Sequence, residues 1–370
     1  MVQYHAAWRN LSILEKDFAI LRINMTENSF SHEFLMQRCL QIAENGRMLA
    51  MPNPSVGALI VYQNRIIGEG HTSEYGGSHA EVNAIRSVAE NDLHLIPLST
   101  LYVSLEPCSH FGKTPPCVQL IIENKFIKVV IGTRDPHPLV GGNGIQQLQD
   151  AGIETIVGVL EDACKWSLRK FLVPIELQRP FVTLKWAEST NRKIALHTGE
   201  AVKITSSTTQ VLTHQLRAEH QGILCGWKTV FHDQPALNNR LWSGNSPQVI
   251  IIDLHQRLNN NEYFNSKNDW WRIVQDQSNR ANDIIIYENN LNDILQIIFE
   301  KGIQSIFVEG GTYTIQQFID HQIWDECYVY HGNIFIENGL DAPNLNHQNL
   351  IEQYQLEDDI IHIYKSISNE

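Results

Sequence analysis

His79 and Glu81 stand two residues apart in "SHAEVNAI", and Cys108 and Cys117 stand nine apart in "LEPCSHFGKTPPC", a stretch stiffened by three prolines. One imidazole and two thiolates supply three ligands for a tetrahedral zinc and leave the fourth position to water. That is the open arrangement of a catalytic site, since a structural zinc site is closed by a fourth protein ligand. Bound zinc lowers the pKa of its water to about 7, and a carboxylate placed like Glu81 can then shuttle the proton.

The order H-x-E, then P-C and a further Cys, matches zinc nucleobase deaminases, in which hydroxide attacks a ring carbon bearing an amine. Neither half is decisive alone: H-x-E recurs by chance, and a buried Cys is more often a small hydrophobe than a ligand. The assignment rests on their setting, with "HAE" opening a helix and "EPC" following a strand. Cys39, Cys164, Cys225 and Cys327 fall in apolar helical or strand-like patterns and are predicted to be core.

The elements that must hold these groups show in the apolar periodicity. "SHEFLMQRCLQIAENG" predicts a helix with Ser31 as N-cap and Gly46 as stop. "SVGALIVY", "TLYVSLEP", "IKVVIGT" and "IETIVGV" predict strands, alternating with helices at "HAEVNAIRSVAE", "CVQLIIENK", "GIQQLQDAG" and "LEDACKWSLRKFL". This is an α/β sandwich. The Pro-bounded "VPIELQRP" is a candidate domain joint. A second series of strands and helices runs from "FVTLKWAES" to "ECYVYHG" and predicts a largely parallel, doubly wound sheet. The Asn-rich stretch 259–268 reads as a surface loop or hairpin. The expected division is an extension at 1–30, a zinc deaminase domain at 31–176 and a second α/β domain at 180–370.

Composition fits two globular units. The chain has 370 residues with 43% hydrophobic, and 28 Lys+Arg against 41 Asp+Glu give a net charge of −13. An acidic chain is a poor general binder of nucleic acid. Arg9, Glu15, Lys16, Asp17 and Arg22 interrupt the N-terminal apolar residues, so neither a signal-peptide core nor a membrane span is predicted there. A cytoplasmic location is expected, and there the six cysteines are thiols or ligands rather than a disulfide framework. A homo-oligomer is compatible with the sequence.

"PNPSVGALIV", "GEGH", "SHAEVNAI", "LYVSLEPCSHFGKTPPC" and "DPHPLVGGNGI" together resemble the deaminase half of the bifunctional riboflavin-biosynthesis deaminase/reductase family. The resemblance implies a cytidine-deaminase-like α/β/α sandwich followed by a dihydrofolate-reductase-like sheet. It also implies a diaminopyrimidinone carrying a ribosylamino 5′-phosphate as substrate, whose amino group water replaces. Asn53, His110, Lys113 and Asp135 fall on the family's substrate positions. Asn53 can donate and accept at the ring edge, or merely shape the Pro-Asn-Pro turn; Lys113 can meet phosphate as a point charge, or be a solvated loop charge. Thr72 and His137 replace a His and an Asn usual in the family.

The second half resembles the family's reductase, which uses NADPH to open the ribose to a ribityl chain. The resemblance places Lys185, Ala187, Lys203, Thr229, Asp233, Gly311 and Thr312 on the cofactor side, and Arg217, Leu237, Arg240 and Glu309 on the substrate side. Gly310 and Gly311 lie between a strand and a helix, where backbone N–H groups can approach phosphate. The family's "SLDG" or "TADG" turn is "STNR" here. Arg192 has a Cβ where the family has Gly, so the turn is expected to change if a positive φ is required. Two other readings stand beside the bifunctional enzyme: a deaminase whose second domain no longer reduces, and a zinc-stabilised scaffold, for which Glu81 would be superfluous.

Overall fold

The computed structural model describes residues 30–110, 115–137, 141–198, 200, 202–288, 290–346 and 348–367. The predicted extension, Phe30 apart, lies outside them, as does Lys113. The first helix, α1 (His32–Ala43), begins where expected, with the Ser31 hydroxyl accepting from the Phe34 N–H.

Five strands then form one mixed sheet: β1 (Gly57–Tyr62), β2 (Arg65–His71), β3 (Thr100–Leu105), β4 (Lys128–Thr133) and β5 (Glu154–Val157), in the order β2-β1-β3-β4-β5. The pairs β1/β2 and β1/β3 are antiparallel, while β3/β4 and β4/β5 are parallel. Side chains alternate across the sheet. Ala58 and Ile60 meet Ala80, Ala84, Val118 and Ile121 on one face, whereas Leu59 and Val61 meet Leu35, Met36 and Cys39 of α1 on the other.

Strand β2 was not read from the sequence because Gly68 and Gly70 dilute its apolar pattern. The fold requires them small: a Cβ at Gly70 would stand 2.3 Å from the Ala84 nitrogen and 2.5 Å from the Ala80 oxygen. Helix α2 (Ala80–Arg86), which carries Glu81, is thereby drawn onto the sheet.

Helices α3 (Cys117–Glu123), α4 (Asn143–Asp150) and α5 (Glu161–Leu177) complete the layer. The last runs through Pro174 and the expected joint at "VPIELQRP", giving up one backbone bond near its end. The second sheet starts at β6 (Phe181–Glu188).

The nine-stranded sheet contains β6, β8 (Gly222–Gly226), β9 (Gln248–Ile252), β10 (Trp271–Val274), β11 (Asp283–Ile285), β12 (Ser305–Val308), β13 (Glu326–His331), β15 (Gln348–Leu356) and β16 (Asp359–Ser366). Its order is β11-β10-β9-β8-β12-β6-β13-β16-β15, parallel from β11 to β13 and closed by an antiparallel hairpin. A small sheet pairs β7 (Lys193–Leu196) with β14 (Gly339–Asp341). Around them lie α6 (Ser207–Ala218), α7 (Trp227–Asp233), α8 (Glu262–Asn265), α9 (Leu291–Glu300) and α10 (Thr312–Asp320). The Asn-rich stretch holds α8, capped by the Asn261 side chain.

The "STNR" turn between β6 and β7 corrects the expectation for it. Arg192 itself adopts φ +57°, so the left-handed corner survives without glycine. Asn191 secures it by accepting from Ser189 Oγ at 2.8 Å and the Ile336 N–H at 3.1 Å, and by donating to the Ile336 carbonyl at 2.8 Å.

The two sheets meet through buried charge. Glu219, at the end of α6, pairs with Arg47 at 3.2 Å and Lys170 at 3.6 Å from the first unit. Arg169 pairs with Glu326 at 3.0 Å, and burial drives the Lys170 ammonium down to about 7 against the pull of Glu219.

Candidate active sites

The chain reverses at three element ends to assemble the first site. His79 is the N-cap of α2, Cys108 follows β3, and Cys117 opens α3. His79 Nδ1 lies 3.5 Å from Cys108 Sγ and 3.3 Å from Cys117 Sγ. The three ligand atoms all lie within 4.8 Å of one another. A convergent nitrogen and two sulfurs are the donor set zinc prefers, so the residues fit that ion.

The Cys117 N–H donates to Cys108 Sγ at 3.3 Å. Together with the hydrogen bond from the Cys117 thiol and that from His79, it lowers Cys108 to about 4, while the same coupling and burial push Cys117 upward. Glu81, 4% exposed, is raised by burial and then by the Cys108 charge. A carboxyl so placed gains and loses a proton more readily near neutrality than an exposed one.

The cavity over these groups has a volume of about 330 Å³ and is lined by Asn53, Thr72, His79, Glu81, Glu106, Cys108, His110 and Asp135, among others. The predicted Asn53, His110 and Asp135 therefore converge on the predicted metal residues. Thr72 has a structural task as well, its Oγ1 accepting from the Val56 N–H at 3.0 Å. Two residues that shape the cavity were not read from the sequence. Asn83 fastens the segment that carries Tyr75 and Gly76 to the rim, donating to the His71 carbonyl at 2.7 Å and Ser73 Oγ at 2.9 Å. Glu106 carries a carboxylate whose partners lie far along the chain, where no local pattern reveals them.

The second constellation gathers at the carboxyl ends of the parallel strands, where ligands bind in such sheets. Glu309, following β12, accepts from Arg217 Nε at 2.9 Å and Nη2 at 2.8 Å, with Lys185 Nζ at 3.7 Å. Burial pushes Glu309 up, but Arg217 and Lys185 outweigh it and hold the carboxyl low. Burial lowers Lys185, whose Nζ lies 4.9 Å from the Tyr330 ring centre.

Arg217 Nη1 donates to the Asn238 carbonyl at 2.9 Å, and the Arg240 N–H donates to His214 Nδ1 at 3.1 Å. His214, absent from the sequence-based list, thus holds the Arg240 backbone. Burial, Arg217 and Arg240 push its imidazole down to about 4. Thr229 Oγ1 accepts from the Gly311 N–H at 3.2 Å, at the start of α10. The Thr312 hydroxyl donates to the Asp341 carbonyl. Ala187 pairs with Tyr330 across β6 and β13; Lys203 is exposed before α6, and Asp233 ends α7. Leu237 is 2% exposed and packs in the core, so its side chain faces apolar neighbours, and its backbone turns with φ +48°.

A glycine-containing strand-to-helix junction beside buried Lys, Arg and Glu fits a phosphate-bearing nicotinamide cofactor with an anionic substrate. Among the described residues no helix is long and apolar enough to cross a membrane.

Residues 29–133 match the model of the cytidine and deoxycytidylate deaminase zinc-binding region, and residues 180–361 match the RibD C-terminal domain. The riboflavin biosynthesis protein RibD of Aquifex aeolicus is 33% identical over 332 residues, 87% of this chain and 92% of that protein. The Bacillus amyloliquefaciens protein of the same name is 36% identical over 329 residues, 85% and 87% of the two chains. A solved Thermotoga maritima diaminohydroxyphosphoribosylaminopyrimidine deaminase/5-amino-6-(5-phosphoribosylamino)uracil reductase superposes with a TM-score of 0.81 at 33% identity, covering 90% of this chain and 98% of that one.

Fold and sites together define a two-part enzyme, a zinc-dependent deaminase joined to a nicotinamide-dependent reductase. The chain belongs to the RibD family of riboflavin biosynthesis proteins. It is a bifunctional deaminase and reductase with zinc and NADPH as its cofactors.

Proposed function

We propose that the deaminase unit, residues 31–176, replaces the amino group of a diaminopyrimidinone ribosylamino 5′-phosphate, and that the reductase unit, residues 180–370, converts the ribosyl group of the product to ribityl. The observation carrying this reading is the buried Glu81 beside His79, Cys108 and Cys117, in a cavity that Asn53, His110 and Asp135 also line. The Cys108 and Cys117 thiolates and the His79 imidazole would hold zinc, which when bound would supply a water-derived nucleophile near neutrality. Glu81 takes the proton that water releases and hands it to the departing nitrogen, so a C–O bond forms, the C–N bond breaks and ammonia leaves. Asn53 orients the ring edge with its paired donor and acceptor.

In the second unit NADPH supplies the hydride. Arg217 and Arg240 bind the substrate phosphate, Glu309 keeps Arg217 and Lys185 in place, and the Gly311–Thr312 helix start with Thr229 receives the cofactor. The ligand is a small pyrimidine ribose phosphate. A reducing, cytoplasmic setting suits the free cysteines.

The test incubates the purified chain with the pyrimidinone phosphate, with and without NADPH, and reads product mass. Glu81→Gln should keep zinc and still reduce the deaminated compound, while deamination falls at least about 10²-fold. Turnover within a few-fold of the parent would remove Glu81 from the proton path.

A further inference from the structure

Glu106 lies between the end of β3 and Cys108, and its carboxylate accepts four backbone N–H groups. Oε2 takes those of Asp135 at 3.2 Å and Gly142 at 3.0 Å; Oε1 takes those of Gly144 at 3.0 Å and Ile145 at 3.2 Å. The side chain is 4% exposed and lines the deaminase cavity. Two stretches of backbone are thus bound to one carboxylate: Asp135, two residues beyond the end of β4, and the first turn of α4 with its N-cap.

The packing around it leaves no slack. A Cβ on Gly144 would lie 2.4 Å from the Pro107 carbonyl oxygen and 3.1 Å from Glu106 Oε1. The Glu106 N–H itself donates to the Thr133 carbonyl at 2.9 Å, fixing the carboxylate relative to β4. Asp135 Oδ1 accepts from the His137 N–H at 2.9 Å, which ties the orientation of its carboxyl to the local backbone.

We propose that Glu106 is a positioning residue of the deaminase, holding Asp135 at the substrate cavity by binding its N–H and the start of α4 together. This rests on the deaminase reading above. A carboxylate can accept all four donors because both oxygens are acceptors; an amide turns one of them into a donor that faces two N–H groups. Such charge-assisted bonds are about twice as strong as neutral ones, so the amide loosens the Asp135 backbone and the start of α4 together. No step of bond making passes through Glu106. It acts on how well the ground state is held, which appears in KM rather than in kcat.

The test uses the full chain carrying Glu106→Gln. Zinc content and NADPH-dependent reduction of the deaminated compound should match the parent, since neither depends on Asp135. For deamination KM should rise about tenfold or more, with kcat within a few-fold. Asp135→Asn should then cost little further in the Glu106→Gln background, because the two changes remove one function. An unchanged KM overturns the proposal, as does a cost of Asp135→Asn that is the same in both backgrounds. So does a fall in kcat that accompanies zinc loss, which would assign Glu106 to the metal loop. If Glu106→Gln also loses reduction and has therefore misfolded, Gly144→Ala takes its place. That Cβ forces the same backbone away while keeping the carboxylate, and it should reproduce the rise in KM; an unchanged KM there overturns the proposal. A parent chain unable to deaminate overturns the underlying reading, an outcome distinct from a Glu106→Gln chain that behaves as the parent.

Discussion

At the scale of residues, the convergence of His79, Cys108 and Cys117 was legible because their residue types stand at element ends. His79 caps one helix and Cys117 begins another, and both boundaries show in the apolar periodicity. Cys117→Ser keeps the backbone N–H that meets Cys108 but replaces a soft thiolate with a poor zinc ligand. Metal analysis of that variant should show most of the zinc lost and deamination with it, while reduction of the deaminated compound continues; full zinc retention would remove Cys117 from the ligand set. What stayed illegible were groups that act through remote backbone. Glu106 reads as part of "EPC", yet its donors begin at Asp135 and end at Ile145. His214 reads as one polar residue on a helix until Arg240 returns to it. Leu237, expected at the substrate by resemblance, has its side chain in the core.

At the scale of elements, strands such as β1, β4 and β12, with consecutive bulky residues, were legible in the sequence, whereas β10 and the C-terminal hairpin were not. The C-terminal hairpin turns at Glu357 and Asp358, between the paired Leu356 and Asp359, without the Gly or Asn that marks such turns. The β6–β7 turn shows the reverse error, an expected rearrangement that did not occur. A left-handed Arg192 costs about 1–2 kcal/mol relative to glycine. It is offset by its own Nη2 bond to the Pro343 carbonyl at 2.7 Å and by the three bonds of Asn191. Asn191→Ala should therefore destabilise the chain by about 2 kcal/mol, leaving the Ile336 N–H and carbonyl without this partner. Arg192→Gly should stay within about 1 kcal/mol of the parent, because lost strain and lost bond oppose each other. Urea unfolding of both variants checks this, and equal losses would show that Asn191 does not hold the corner.

At the scale of the molecule, two α/β units were visible in the alternation of elements, but the charged seam between them was not. Lys170 sits in that seam with Glu219 and Arg47. Unfolded, it has the ordinary lysine value of 10.5, and folded it is lowered by burial to about 7. Below pH 7 both states carry the proton and the burial penalty is fully present. Between about 7 and 10.5 only the unfolded chain holds it, so the stability contributed here rises with pH. Relative to Lys170→Met, the parent should gain about 2 kcal/mol from pH 7 to pH 9. Urea midpoints at the two values read this difference, and one that does not change with pH would show that Lys170 is not so depressed.

The seam also fixes which ends of the second sheet's strands the first unit meets. Gln221 and Gln304, beside the deaminase unit, precede β8 and β12, whereas Glu309 follows β12 at the opposite end of that strand. The four residues of β12 span roughly 13 Å of packed sheet. The first unit therefore abuts the amino ends of these strands and leaves their carboxyl ends, where Glu309, Arg217 and Lys185 gather, to the ligands of the second. Joining the two domains in one chain secures equal numbers of the two catalysts.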